Sequence, residues 1–211
     1  MPPRSHIHVI DADVRRRAQI AYEMTSRNLH AEIYDGLDEF APAVPAAGAV
    51  FIADASIDCG PSALRALLQA KGSSLPFAAY AEDPLPQRIV AAMLDGAVDY
   101  LRWPFDTGLL DTALDRLVLA GERRTREQRR QAEAKAAISE LSERELEVLG
   151  LMIHGNSSKE IGRKLDISPR TAEIHRANMM RKLRARSPSD AVRMAITAGF
   201  GDESEDGAKV A

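Results

Sequence analysis

The sequence predicts a doubly wound α/β domain with five parallel strands, followed by a small all-α domain of four helices. The first prediction depends on five short apolar runs that alternate with amphipathic stretches up to about residue 118. Such alternation is typical of a parallel sheet with helices on both faces. The second depends on helix start signals that recur after residue 141. We predict a first domain at 1–118, a helical linker at 119–138, a second domain at 139–200 and a disordered acidic tail at 201–211.

The five strands are predicted from their apolar runs. These runs are IHVI at 7–10, AEIY at 31–34, AVFIA at 49–53, FAAY at 77–80 and DYL at 99–101. Between them, apolar residues follow helical spacing, as at Leu64, Leu67 and Leu68. Because functional groups of such sheets gather at the carboxyl ends of the strands, candidate site residues are those that directly follow the runs.

The linker at 119–138 is rich in Arg, Glu, Gln and Ala. A heptad repeat continued from Leu110, Leu114 and Leu117 would place Gly121 and Arg124 at core positions, which does not favour a coiled coil. We therefore expect a helix that is solvated along its length.

Each helix of the second domain has a sequence signal at its start. Two signals have the spacing of a capping box, and two are a serine followed by proline at the first helical position. The residues are Ser142 with Glu145, Ser157 with Glu160, Ser168 with Pro169, and Ser187 with Pro188.

The third of these helices, PRTAEIHRANMMRKL, has two different faces. Spacings of three and four predict a buried stripe of Ala172, His175, Met179 and Leu183, so that His175 is expected to be a core histidine. With the short helix and the tight turn before it, this helix predicts a helix-turn-helix that fits the major groove. The opposite face carries Arg170, Glu173, Ala177 and Arg181, flanked by Ile174 and Arg176.

The net charge of -3 hides an asymmetry along the chain. Residues 1–118 contain 10 basic and 16 acidic side chains, whereas residues 119–198 contain 17 basic and 11 acidic ones. We therefore expect that only the second part of the chain meets a polyanion.

Several other classes of protein and site are not favoured. A single cysteine, Cys59, leaves no partner for an intramolecular disulfide. No apolar run reaches the roughly 18 residues of a membrane span, and no signal-peptide pattern is present, so a cytoplasmic protein without membrane contact is expected. The sequence shows no assembled catalytic triad, metal cage or phosphate loop, so we do not expect an enzyme. His6 and His8 share one face of the first strand, but without a third ligand we do not expect them to bind a metal.

Residues 141–183, LSERELEVLGLMIHGNSSKEIGRKLDISPRTAEIHRANMMRKL, resemble the DNA-binding domain of the NarL/FixJ (LuxR-type) response regulators. The resemblance implies double-stranded DNA as the partner, bound by a homodimer. By position, it implies that Glu173, Ile174 and Ala177 face base edges. It also implies that four basic residues contact phosphates, namely Arg170, Arg176, Lys164 and Lys182. The assignment of Lys164 and Lys182 depends on the resemblance and on charge alone.

Residues 7–118 resemble the flavodoxin-like receiver domain of the same family, through IHVIDADVRRR, FIADASIDCG and DGAVDYLRWPF. In a receiver, acids at the strand ends bind Mg²⁺ while an Asp after the third strand accepts a phosphoryl group. Here Asp54 matches the phosphoacceptor and Asp11 matches the first acid. Tyr100 matches the switch aromatic, although it also fits an ordinary half-buried strand residue.

Three other receiver positions depart from the family pattern. Ala12 stands where the second acid is expected, Ala81 where a hydroxyl is expected, and Trp103 where a lysine is expected. Asp13 is one residue beyond the second acid and need not point the same way. We therefore expect no cofactor, with Mg²⁺ binding weak or absent, and a receiver that dimerises or binds a partner protein without phosphorylation.

Alternatives to this interpretation remain at the sequence level. Arg102 or Asp13 could compensate for the missing groups, which would leave a phosphorylation-competent regulator. The chain could instead be an interaction adaptor in which DNA binding is secondary. Trp103 either packs in the core or fills the phosphate pocket.

Overall fold

The computed structural model describes residues 6–54 and 60–200. The predictions about Cys59 and the tail at 201–211 lie outside these residues. The chain divides into two compact units, Met1–Thr125 and Arg126–Ala211. Each unit is described by itself.

The first unit contains a five-stranded parallel sheet, as predicted. Its order is β2-β1-β3-β4-β5, so that the chain reverses direction across the sheet beside β1. The register confirms that every neighbouring pair is parallel. The strands are β1 (His6–Ile10), β2 (His30–Tyr34), β3 (Ala49–Ala53), β4 (Phe77–Ala81) and β5 (Asp99–Arg102).

Helices cover both faces of this sheet. They are α1 (Val14–Ser26), α2 (Leu37–Phe40), which a 3-10 turn follows at Ala41–Ala43, α3 (Pro61–Ala70), α4 (Pro86–Leu94) and the first part of α5 (Thr107–Ser139). Alternate residues of β3 enter two different cores, because successive side chains of a strand point to opposite faces. Phe51 packs with residues of α1 and α5, whereas Ile52 packs with residues of α3 and α4.

Helix α5 runs through the predicted linker without a break. Between residues 125 and 133 its side chains are exposed, as expected for a solvated helix. It is not solvated to its end, however, because Ala134 and Ile138 are buried. Their spacing of four residues places them on one side of the helix, and Ile138 joins the core of the second unit.

The second unit adds four helices, each with the predicted cap. They are α6 (Glu143–Ile153), α7 (Ser158–Lys164), α8 (Pro169–Lys182) and α9 (Pro188–Thr197). Both capping boxes are formed, and the side chains of Ser168 and Ser187 accept hydrogen bonds from backbone amides in the first turns that follow them. Among the described residues, no helix is sufficiently long and apolar to cross a lipid bilayer.

A close approach between α7 and the turn before α8 fixes the geometry of the helix pair. Gly162 lies against this turn, and a Cβ added there would stand 2.8 Å from the carbonyl oxygen of Ile167 and 3.2 Å from the nitrogen of Pro169. The amide of Ile167 donates to the carbonyl of Gly162 over 2.9 Å. Because both neighbours are backbone atoms, they cannot turn aside.

We predict that Gly162→Ala lowers the stability of the α7 and α8 pair by about 1–3 kcal/mol, since overpacking outweighs the gain in helix propensity. Native-state hydrogen exchange of the α7 and α8 amides measures this change. The matched control is Gly150→Ala in α6, where nothing lies within 4 Å of an added Cβ. That variant should gain up to about 1 kcal/mol, and equal effects of the two substitutions would contradict the prediction.

Candidate functional site

Two buried carboxylates lie at the carboxyl end of the sheet in the first unit. Asp11 directly follows β1 and Asp54 directly follows β3, which is its neighbour in the sheet. Asp11 has no exposed surface and Asp54 is 8% exposed. Buried carboxylates need partners, because leaving a charge unpaired away from water is costly.

Arg16 and Tyr80 enclose the carboxylate of Asp11. The Nε and Nη2 atoms of Arg16 donate to its two oxygens over 2.5 and 2.8 Å, and the hydroxyl of Tyr80 donates over 2.7 Å. The amide of Asp13 adds a bond of 2.9 Å. Arg16 also pairs with Glu82 over 2.7 Å. The hydrogen bond to Asp11 raises the pKa of Arg16, and burial and the Asp11 charge raise the pKa of Tyr80, so Tyr80 remains a donor.

Arg88 and Tyr100 enclose the carboxylate of Asp54 in a similar way. The hydroxyl of Tyr100 donates to Oδ2 over 2.6 Å, and Nη2 of Arg88 donates to Oδ1. Burial and the bond to Asp54 raise the pKa of Tyr100, which keeps its proton on the phenol. Three elements, β3, α4 and β5, therefore meet at one carboxylate.

The proposed substitutes for the missing receiver groups have other partners. Asp13 is exposed, and its side chain accepts a hydrogen bond of 2.9 Å from the amide of Arg16, so it caps α1. This bond lowers the pKa of Asp13. The Nε atom of Arg102 donates to the carbonyl of Glu82 over 3.1 Å. Ala12 is exposed and Ala81 is half-buried, and neither side chain can bond to a phosphoryl group.

Trp103 is half-buried and packs against a hydrophobic core of the first unit. Its ring meets Phe105 edge-on at a centroid distance of 4.8 Å, and Phe105 in turn meets Tyr80 at 5.4 Å. Both Trp103 and Phe105 pack on the α1 and α5 side of the sheet. These contacts favour core packing of Trp103 over filling of the phosphate pocket. The side chains that bind Asp54 are Arg88 and Tyr100, and Tyr100 packs on the α3 and α4 face of the sheet, opposite to Trp103.

Sequence reasoning missed Arg16, Tyr80 and Arg88. A local signal existed for Arg16, which lies in the first turn of the helix that follows Asp11. No such signal existed for Arg88, which is 34 residues from Asp54 and reaches it only when α4 packs beside β3.

In the second unit, helix α8 has the two faces that its sequence predicts. Ala172, Met179 and Leu183 are buried, whereas His175 is half-buried. On the opposite face Ile174 is 54% exposed. The exposed residues of this face are Arg170, Glu173, Ile174, Ala177 and Arg181.

The basic residues around α8 differ in how they are held. Lys164 and Arg170 are exposed and form no ion pair with any described residue. Arg181 donates to Asn178 over 3.1 Å, and Arg176 donates to the hydroxyl of Ser158 over 3.4 Å. Arg163 adds a charge beside Lys164 that sequence reasoning did not select.

Lys182 has a structural partner inside the second unit. Its Nζ atom donates to the carboxylate of Glu145 over 2.7 Å and to the carbonyl of Glu140 over 3.2 Å. Glu145 is buried, which alone would raise its pKa, but the hydrogen bonds from Lys182 and Ser142 outweigh burial and hold the pKa below its usual range. Lys182 therefore links the end of α8 to the start of α6.

Comparison with known proteins finds relatives along nearly the whole chain. Residues 139–195 match the family model described as bacterial regulatory proteins, luxR family. The chain is 32% identical to the transcriptional regulatory protein FixJ of Bradyrhizobium diazoefficiens, over 95% of this chain and 98% of that protein. It is 35% identical to FixJ of Azorhizobium caulinodans, over 94% and 95%. The solved structure of the response regulator StyR matches with a TM-score of 0.69 and 25% identity, over 92% of this chain and 98% of that one.

We predict that Arg16→Ala lowers the free energy of unfolding of the first unit by about 3 kcal/mol, because it leaves the buried charge of Asp11 without its cation. Urea unfolding followed by the fluorescence of Trp103, the single tryptophan, measures this unit. The matched control is Arg15→Ala, since Arg15 is exposed and, among the described residues, no hydrogen bond or ion pair joins it to Asp11. If both variants unfold at the same urea concentration, the Arg16 ion pair is not structural.

Proposed function

We propose, because the chain belongs to the NarL/FixJ family of LuxR-type response regulators, that its receiver domain controls transcription without phosphorylation of Asp54. The chain is a response-regulator transcription factor with a DNA-binding LuxR-type domain. The single observation that carries the proposal of control without phosphorylation is that Arg88 and Tyr100 both bind the Asp54 carboxylate.

Phosphorylation of Asp54 requires a carboxylate oxygen that is free to attack phosphorus. Each oxygen of Asp54 accepts a hydrogen bond, one of them from a guanidinium group. Such charge-assisted bonds contribute about 1.5–3 kcal/mol each, and they must be broken or weakened before the oxygen can attack. These bonds therefore raise the activation barrier for phosphorylation of Asp54.

Mg²⁺ binding is opposed by charge as well as by the missing ligand at Ala12. Mg²⁺ requires carboxylate oxygens in a nearly octahedral shell. The Asp11 oxygens already accept bonds from Arg16 and Tyr80, and Arg88 places a second guanidinium at Asp54. A divalent cation here would have to displace two like-charged groups.

A phosphoryl group on Asp54 would also find few new partners. Population shift between two states requires contacts that differ between them. The hydroxyl and ammonium groups that would supply such contacts are replaced by Ala81 and Trp103. We therefore propose control through a partner protein or a second copy of the chain, for which exposed Val90, Met93 and Leu94 of α4 are candidate contacts.

The proposed DNA contacts divide into base and phosphate contacts on and around α8. Glu173 can accept a hydrogen bond from a cytosine amino group, and Ile174 can contact a thymine methyl group. Lys164 and Arg170 supply affinity that is independent of sequence. As a homodimer, the protein would bind two half-sites about 34–36 Å apart. Lys182 is a weaker candidate for phosphate contact, because it already bonds to Glu145.

We predict that Arg170→Ala weakens DNA binding similarly across sequences and lowers the slope of log affinity against log salt by about one, because one phosphate contact is lost. Gel-shift titrations at several salt concentrations, on a site selected from a random DNA pool, measure both quantities. Arg129→Ala, at an 82% exposed linker side chain, is the matched control and should leave the slope unchanged. A shallow slope for the unaltered chain would instead favour the adaptor.

We predict that millimolar Mg²⁺ leaves the backbone amide resonances of Asp11 and Asp54 unshifted, since the ion would have to displace the Arg16 and Arg88 guanidinium groups from the two carboxylates. A nuclear magnetic resonance titration measures this, with NaCl of equal ionic strength as the control for screening. Saturable shifts confined to these two residues and their neighbours would overturn the proposal that the Asp11 and Asp54 carboxylates do not bind Mg²⁺.

A further inference from the structure

The edge of the sheet in the first unit carries a cluster of imidazole and carboxylate groups. The parallel register pairs His6 with His30 and His8 with Glu32. Paired residues of adjacent parallel strands, and residues two apart on one strand, have side chains on the same face. All four side chains therefore share one face of β1 and β2. The neighbouring strand β2 therefore adds two candidate ligands, His30 and Glu32, to the two histidines of β1.

Two exposed imidazoles lie next to each other at this edge of the sheet. The rings of His6 and His30 have centroids 5.1 Å apart, at an interplanar angle of 72°. Two imidazoles on one tetrahedral Zn²⁺, with Zn–N distances of about 2.0–2.1 Å, have centroids about 5 Å apart. Glu32 lies beside them, with Oε1 3.8 Å from Nε2 of His30.

The other oxygen of Glu32, Oε2, contacts Tyr34 and His8. Oε2 accepts a hydrogen bond of 2.9 Å from the hydroxyl of Tyr34 and lies 3.3 Å from Nδ1 of His8, which is 2% exposed. Glu32 is thus an oriented carboxylate whose Oε1 faces His30, and hydrogen bonds behind a ligating carboxylate are a common support of metal sites.

We propose that His6, His30 and Glu32 bind one divalent transition metal ion such as Zn²⁺ or Ni²⁺, with water completing its coordination. Imidazole and carboxylate ligands suit these ions. The described residues contain no group of three ligands already placed to hold a metal, so His6 and His30 must turn from their edge-on contact. Both are exposed, and exposed side chains turn within nanoseconds. This site is independent of the proposed transcriptional function.

Isothermal titration of the untagged full chain with ZnCl₂ tests the proposal. We expect one ion per chain with micromolar affinity. His30→Ala should weaken binding at least about tenfold, because even groups behind the ligands contribute roughly 10–100-fold. The matched control is His154→Ala, at an exposed histidine of the second unit, which should bind as tightly as the unaltered chain. Absence of binding, or equal affinity of the two variants, would overturn the proposal.

A second measurement does not depend on the folding of a variant. Among the five histidines of the unaltered chain, substoichiometric Cu²⁺ should broaden the imidazole proton resonances of His6 and His30 first. His154 and His175 should remain sharp. Selective broadening of His154, or a stoichiometry of one ion for two chains, would contradict a site within one chain.

Discussion

The proposed control without phosphorylation depends on the contact of Arg88 and Tyr100 with Asp54. A carboxylate that is 8% exposed must be paired, and the strand-end pocket offers two ways to pair it. A bound metal ion with polar neighbours is one, and a guanidinium with a phenol is the other. In this structure Arg88 and Tyr100 pair Asp54 in the second way, and Arg16 and Tyr80 pair Asp11.

Pairing by internal cations makes the other changes in the pocket mutually consistent. With a guanidinium on Asp54, a second acid at position 12 has no ion to hold, and a lysine at position 103 has no free anion to contact. Trp103 can then serve packing instead, which it does against Phe105.

Much of the fold could be predicted because its signals are local. Apolar runs placed all five strands within one residue at each end, and serine caps placed α6 to α9, since both depend on neighbouring residues. The contacts of the pocket could not be predicted in the same way. Arg88 meets Asp54 across 34 residues, and Lys182 meets Glu145 across 37, so that only tertiary packing brings them together. The burial of Ile138 likewise depends on a core that its own segment does not contain.

The most direct test of control without phosphorylation of Asp54 is to incubate the full chain with acetyl phosphate and Mg²⁺. Its intact mass and its affinity for a selected DNA site are then measured. We predict that the mass stays unchanged and that the affinity is the same before and after incubation. A mass increase of one phosphoryl group, located at Asp54 and accompanied by a rise in DNA affinity, would contradict the account.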